Sequence, residues 1–545
     1  MLIFDLNPVF FTLGAVGFSL LIILLIDDKK ILVTFSKFNI PLIKKGFHIK
    51  GEKSFFRLLF LYLAVLTFIL QGQYLDFETI DADVHTYLLI GNDVLRGSLP
   101  YENQWDDKGP IFYIFYALLI FLSNKNLIVF KILSDIVLLF IAIGIAKLIY
   151  IQNKDRKEIQ ALVSSSFFIL FLSTPWGSVE YSEIFCLFFM CPSFYLILKN
   201  ESNKYLILYS GILYGLSTLV NQGAGIFIIL FIYLFYKFNK TNNLVKFIAG
   251  FLIPHLAIFA LYASKSLIDI YFSTLVTIPL EYSTQSFNLI YELTVFFRET
   301  LFYNPYLYLV VIFLIIFSAF KIIRNKSFDF DLFPYIGILL SVVFFFLGST
   351  GYKHHLIFLL FFISLIPIAI PNSKKSYYWV FIILLISSLA SLIPESSKKS
   401  FSNLTNLEEI YSNYPLRELS AQINNQFDTS FTVFSLDHSL ILFYLDIKNE
   451  GYIIHPTNYA EPSIYNELVR IGRIIPDELP LQISKKPNVI ICSQEIRELL
   501  VQVNCEVTDF YKGYRKIDTD LFFSSKKRTF YKDPYRSIDL YIRRN

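Results

Sequence analysis

Residues Asp81 to Pro110 read DADVHTYLLIGNDVLRGSLPYENQWDDKGP, an acid-rich stretch with turn residues held between apolar segments. Upstream, residues 55–71 are nearly uncharged, and downstream the residues 111–123 (IFYIFYALLIFLS) and 126–150 are apolar again. A bilayer core of about 30 Å takes about 20 apolar residues per helix. Comparable runs recur near 9–26, 160–174, 184–199, 205–220, 224–237, 244–263, 302–320, 332–349, 355–370 and 377–393. They predict about twelve spans, an all-α polytopic membrane bundle over residues 1–393. The whole chain of 545 residues is 55% hydrophobic and 18% aromatic, with a mean hydropathy of +0.53, which excludes a soluble single-core protein. Residues 111–123 are too short to cross comfortably, so they read as an interfacial or re-entrant helix beside the acidic loop.

Basic residues set the expected orientation, because Lys and Arg in short loops are retained in the cytoplasm. Lys29, Lys30, Lys44 and Lys45 follow the first span, Lys154, Arg156 and Lys157 the third, Lys321, Arg324 and Lys326 the ninth, and Lys374 and Lys375 the eleventh. The opposite loops carry only Arg96, Lys108, Lys265, Arg298 and Lys353. Both termini and the loop 72–125 are therefore expected outside a cytoplasmic membrane. The first span, with Asp5 ahead of it and no small-residue cleavage site after it, reads as an anchor. The net charge of +4 follows from this bias and implies no nucleic acid.

From residue 394 the apolar runs shorten and polar residues fill the gaps, which predicts a soluble α/β domain over 394–545 facing outward. FTVFSL (431–436) and NVIIC (488–492) read as buried strands, and residues 407–427 and 464–475 have helical spacing. No compact acid–base or nucleophile signature lies in this region, so it is expected to shape acceptor access without adding a catalytic residue. Cys492 and Cys505 lie within it; two reduced thiols are the plainer expectation than a bridge.

Four groups of residues can carry chemistry. The first outer loop holds Asp81, Asp83, Asp106 and Asp107 against few cations. Such carboxylates are either general bases, lifted toward working pH by burial and by one another, or a solvated acidic loop. Lys108, on a turn made by Gly109 and Pro110, is either a phosphate binder or a snorkelling side chain. Residues 351–356 (GYKHHL) place Tyr352, Lys353, His354 and His355 together, a set that suits a phosphate oxyanion; the paired histidines lack a third ligand at local spacing, so no metal or other cofactor is assigned. Glu180 and Glu183 are either binders of sugar hydroxyls or a divalent ion, or ordinary loop acids. His255, within a span, reads as a helix-packing hydrogen bonder.

The segment TIDADVHTYLLIGNDVLRGSLPYENQWDDKGPIFY resembles the first outer loop of bacterial membrane glycosyltransferases of the GT-C class, the class of protein O-mannosyltransferases and lipid A aminoarabinose transferases. The matching positions are Asp81, Tyr87, Gly97 to Pro100 with Tyr101, and Asp106 to Pro110. Glu180 with Glu183, the Asn221–Gln222 turn and residues 351–367 look like later landmarks. The resemblance implies that the loop-opening aspartate is the catalytic base and that Lys108, Tyr352, Lys353, His354 and His355 bind a polyprenyl phosphate. It also implies a substrate-binding part for Tyr87, Tyr101, Asp106, Asp107, Glu180, Glu183, Asn221 and Gln222. Many relatives have Asp-Glu at the loop start where this chain has Asp81-Ala82-Asp83, so either acid can be the base; the spacing to Tyr87 and Gly91 favours Asp81.

The expected activity is inverting transfer of a sugar from a polyprenyl-phosphate donor to a hydroxyl of a glycan, lipid or protein at the outer face of the membrane. Two rivals remain. A polymerase or ligase consuming a diphosphate-linked donor is expected to have arginine-rich outer loops. A transporter or flippase of lipid-linked sugars is expected to hold its polar groups near the bilayer midplane.

Overall fold

The computed structural model describes residues 52–79, 81–152, 157–174, 177, 180–199, 203–238, 241–284, 290, 293–294, 316, 332–347, 353–366, 393–427, 431–476, 481–482, 484–493, 514–517 and 538–543. The expected spans near 9–26, 302–320 and 377–393 lie essentially outside these residues, as do Tyr352 and Cys505.

The helices, labelled in the order used here, follow the apolar runs. They are α1 (Glu52–Gln71), α2 (Ala82–Leu95), α3 (Pro110–Leu122), α4 (Leu127–Gln152), α5 (Lys157–Phe171), α6 (Ser182–Lys199), α7 (Lys204–Val220), α8 (Ile228–Lys237), α9 (Thr241–Ser264), α10 (Phe333–Leu347) and α11 (Leu356–Ser364). Among the described residues, four stretches are long and apolar enough to cross a membrane: Glu52–Tyr74, Leu127–Gln152, Ser182–Lys199 and Asn242–Ser264. Their outward faces are apolar, with Leu58, Leu61 and Val65 on α1 and Leu252, Leu256 and Leu261 on α9 exposed. Lipid, which cannot drive helices together by hydrophobic burial, leaves close packing and hydrogen bonds to do so. Small residues supply both. Gly211 on α7 lies so close to α9 that a Cβ there would sit 2.1 Å from the Phe247 carbonyl oxygen. Ser193 Oγ donates to the Ser210 carbonyl at 2.8 Å, joining α6 to α7. His255 pairs with Thr218 Oγ1 at 2.9 Å, the helix-packing contact expected of it.

The region after residue 393 adds helices and a sheet. Strands β1 (Val433–Ser435), β2 (Val489–Ser493), β3 (Tyr514–Ile517) and β4 (Ile538–Arg543) form a mixed sheet in the order β1-β2-β4-β3. β1 runs parallel to β2, and β4 runs antiparallel to both β2 and β3. Residues 407–427, expected as one helix, are two, Leu407–Ser412 and α12 (Pro415–Asn424). Pro415 causes the break: the ring of a proline forces the preceding residue out of the α region, and Tyr414 has ψ 124°. The predicted helix over 464–475 becomes α14 (Pro462–Arg470), which stops before Gly472 at φ +69°. Between them lies the short helix α13 (Leu440–Leu445). Cys492 is a buried free thiol in β2.

This region is fastened to residues 78–125 by specific polar contacts. The Glu78 carboxylate accepts the Leu416 and Arg417 amides at 2.8 and 3.0 Å, satisfying two donors in the first turn of α12 from a distant part of the chain. Asp446, in the left-handed conformation at φ 57°, takes Asn92 Nδ2 at 3.0 Å and Lys125 Nζ at 2.7 Å, and pairs with Arg96. The Trp105 amide donates to the Tyr452 carbonyl at 2.8 Å. Glu78→Ala strands two buried amides, at about 1–3 kcal/mol each. The expected outcome is a lower unfolding midpoint and faster protease cleavage between residues 394 and 430, with residues 52–264 still protected; unchanged cleavage would show that Glu78 does not hold α12.

Candidate functional site

The acid-rich loop opens on a helix start. Asp81 is the N-cap of α2, with extended φ and ψ of −146° and 157°, and its Oδ1 accepts the Ala82 amide at 2.6 Å. Asp83 follows in the first turn, where a carboxylate meets the positive end of the helix dipole. Two carboxylates so placed repel each other, and the structure gives them different partners. Tyr181, just ahead of α6, donates its hydroxyl to Asp81 Oδ2 at 2.8 Å. His455, from the region after residue 393, lies with Nε2 3.0 Å from Asp83 Oδ1.

Their protonation diverges accordingly. Burial, and then the Asp83 charge, push Asp81 above the usual carboxylate range. Burial pushes Asp83 the same way, but the hydrogen bond and charge of His455 outweigh it and hold Asp83 well below that range. Burial alone would lower His455, yet Asp83 raises it to about 9. At neutral pH the pair is a carboxylate and an imidazolium. A histidine from the region after residue 393 therefore touches the acid pair, a contact that the sequence did not point to. No local signature marks His455; it is a lone histidine before Pro456 in a polar segment.

The second half of the loop is built around Lys108, Gly109 and Pro110. Pro110 begins α3, where its missing amide hydrogen is no loss. Gly109 permits the closest approach: its amide donates to the Val220 carbonyl at 3.1 Å, and a Cβ would stand 2.1 Å from the Leu219 carbonyl oxygen. Lys108 is held with Nζ 3.0 Å from Asp107 Oδ1. Although burial works against its charge, Asp107, Asp106 and Asp83 keep it firmly protonated. Asp106 accepts the Tyr113 hydroxyl at 2.7 Å; burial and the Asp107 charge raise it to about 7. Gln222 Nε2 donates to the Asp107 carbonyl at 3.0 Å, so the Asn221–Gln222 turn braces the loop.

Several residues expected to contact substrate are framework instead. Tyr87 and Tyr101 are 1% and 0% exposed. Tyr101, at φ 67°, bonds through its hydroxyl to the Lys108 carbonyl, and Tyr87 packs edge-on to Phe112 at 4.7 Å. Both rings fix the loop from behind and present no face to a ligand. Glu180 is also buried and raised by that burial, with Lys131 of α4 as its favourable charge. Glu183 is 0% exposed, and its Oε1 accepts Asn221 Nδ2 at 3.1 Å. Around it stand His354, which stacks on Tyr181 with centroids 4.4 Å apart, and His355. Burial, the largest cause, holds His355 well below its usual range, which favours the neutral ring. Lys353 begins the turn Lys353–His355. Tyr181 and Tyr113 were missed as site residues, because their hydroxyls reach the acids only through tertiary packing.

The Asp83–His455 pair sets a stability window. The value of His455 in the folded chain, about 9, lies above the free value of about 6.5. Its contribution is full below the free value and is lost as pH rises through the folded one. The unfolding midpoint of the wild type minus that of His455→Gln should be largest below about pH 6.5 and shrink as pH rises to about 9. A difference that stays constant over this range would remove the ion pair from the account.

No protein-family model matches the chain, and no curated protein does. Among solved structures, ArnT from Cupriavidus metallidurans bound to undecaprenyl phosphate aligns with a TM-score of 0.55 at 12% identity, over 89% of this chain and 97% of that one. The oligosaccharyltransferase of Archaeoglobus fulgidus in complex with Zn and sulfate aligns at 0.46 and 11% identity, over 84% and 71%, a likeness too distant to add to the argument. The long apolar helices and this alignment agree: the chain is a helical membrane protein that shares the fold of ArnT.

Proposed function

We propose that the chain is an inverting glycosyltransferase that moves a sugar from a polyprenyl-phosphate donor to a hydroxyl acceptor, with Asp81 as the general base. The observation that carries this reading is the division of the acid pair. A general base works best with a pKa near the operating pH. Asp81 is raised toward that range while Asp83, held by His455, is depressed and occupied. In the transfer, Asp81 takes the proton of the acceptor hydroxyl as its oxygen forms the new bond to the anomeric carbon. The bond from that carbon to the phosphate oxygen breaks on the opposite face, inverting the centre. The polyprenyl phosphate leaves as an anion and needs no general acid, unlike the leaving group of a glycoside hydrolase. Lys108 supplies charge for that phosphate; Asp107 and Asp106 keep it protonated.

The fold shared with an undecaprenyl-phosphate-bound ArnT supports a lipid-linked donor. We further propose that the site faces the outer side of the cytoplasmic membrane, as the lysine distribution implies, and that residues 394–545 form a domain that limits which glycan, lipid or protein acceptor reaches Asp81.

Mass analysis of lipid-linked sugars and surface glycans in cells with and without the chain should show one glycan losing one sugar while its polyprenyl-phosphate precursor accumulates. In purified protein, Asp81→Asn should lower turnover at least about 100-fold, the scale of a lost general base, without changing donor affinity. Asp83→Asn should cost less and shift the pH optimum. Wild-type turnover in Asp81→Asn, with turnover lost in Asp83→Asn, would move the base two residues along.

A further inference from the structure

Glu183, His354 and His355 come from segments far apart in the sequence and converge beside the acid pair. Each offers one donor atom, a carboxylate oxygen or a ring nitrogen, and the three donors lie within 4.8 Å of one another. His355 Nε2 and His354 Nε2 stand 3.7 and 3.9 Å from Glu183 Oε1. These separations are too long for hydrogen bonds. They are close to what a shared ion requires: two ligands each about 2.0–2.1 Å from a tetrahedral zinc stand about 3.4 Å apart. For these two histidine–glutamate pairs a small side-chain rotation closes the difference.

We propose that Glu183, His354 and His355 form a divalent-cation site of the zinc class, an assignment that goes beyond the proposed transfer and does not depend on its donor or acceptor.

The surroundings are those of a ligand set held in place. Glu183 is fully buried, and both its oxygens are oriented, Oε1 by Asn221 Nδ2 at 3.1 Å and Oε2 by Ser182 Oγ at 3.3 Å. Asn221 Nδ2 also donates to Ser182 Oγ at 3.0 Å, closing the support. Such second-layer bonds fix the direction of a metal-binding carboxylate. The His354 ring is pinned against Tyr181 at an interplanar angle of 17°, and His355 lies edge-on to Phe344 at 4.9 Å. Lys108, the cation whose field reaches Glu183, is committed to Asp107 at 3.0 Å. Two imidazoles and a carboxylate suit zinc better than magnesium or calcium, which take oxygen ligands. Three protein ligands leave a fourth tetrahedral position for a water or an oxyanion. Through Tyr181, which stacks on His354 and hydrogen-bonds Asp81, the ion would also help fix the proposed base.

The test uses the full chain, without a histidine tag, purified in lipid nanodiscs, stripped with a chelator and titrated with zinc alone. Elemental analysis should find one ion per chain. Zinc-edge X-ray absorption should show a nitrogen and oxygen shell at about 2.0–2.1 Å with no sulfur. Glu183→Gln and His355→Asn should each weaken zinc affinity beyond the about 10–100-fold expected for the supporting Asn221→Ala. His255→Gln, which lies between α7 and α9, should leave it unchanged. Because affinity is read without substrate, an inactive transferase that binds zinc and an active one that does not are separate results. If Glu183→Gln does not fold, as judged by gel filtration and thermal unfolding, His355→Asn decides. No stoichiometric zinc, a sulfur-containing shell, or wild-type affinity in the folded ligand variants would overturn the assignment.

Discussion

Two carboxylates two residues apart, both partly withdrawn from water at the start of one helix, do not both keep an ordinary charge. Much else in the structure answers that constraint. The dipole of α2 helps, but its effect at a helix end is on the order of 1 kcal/mol, too small to hold Asp81 and Asp83 ionised together. The remainder comes from the imidazolium of His455 on one acid and the hydroxyl of Tyr181 on the other. Each partner is delivered by a different part of the chain, so the acid pair keeps both partners only when these loops and the C-terminal region are docked.

That docking is achieved by contacts that are individually modest and mutually consistent. Glu78 receives the first turn of α12, Asp446 receives Asn92, Arg96 and Lys125, and Trp105 pairs backbone to backbone with Tyr452. The Asp446 pairs are exposed enough for solvent to weaken them; the buried Glu78 contacts carry more of the fastening. The aromatic residues of the loop act as a rigid backing. Tyr87, Tyr101, Tyr113 and Tyr116 are fully buried, and their hydroxyls are spent on the loop itself or its neighbours. A loop held this firmly fixes where Lys108 and Asp81 stand through its own packing.

A good part of the molecule could be read from the chain alone. The spans follow from hydrophobic run length, since lipid admits no unsatisfied backbone and so leaves the helix as the outcome. The helices at 127–152, 182–199, 204–220 and 241–264 fall within a few residues of the runs that predicted them. The loop motif pointed to the acids and to Lys108 because turn chemistry is local: Gly109 and Pro110 are there for a close approach and a helix start. The exceptions were also local in cause but went unread, as with Pro415, which splits a helix that hydrophobic spacing had drawn as one.

The sequence by itself determined that this is a helical membrane protein with an acid-rich loop between apolar segments, because run length and turn residues act over a few residues. Only the tertiary structure decided the division of labour within that loop. The proton affinity of a buried carboxylate depends on what lies within a few ångströms, and for Asp83 that is a histidine from near the far end of the chain. The same holds for the His354–His355 pair, whose third partner, Glu183, sits in the first turn of α6. Spacing along a chain reports neighbours along a helix or strand; it does not report which side chain a distant loop will bring to face them.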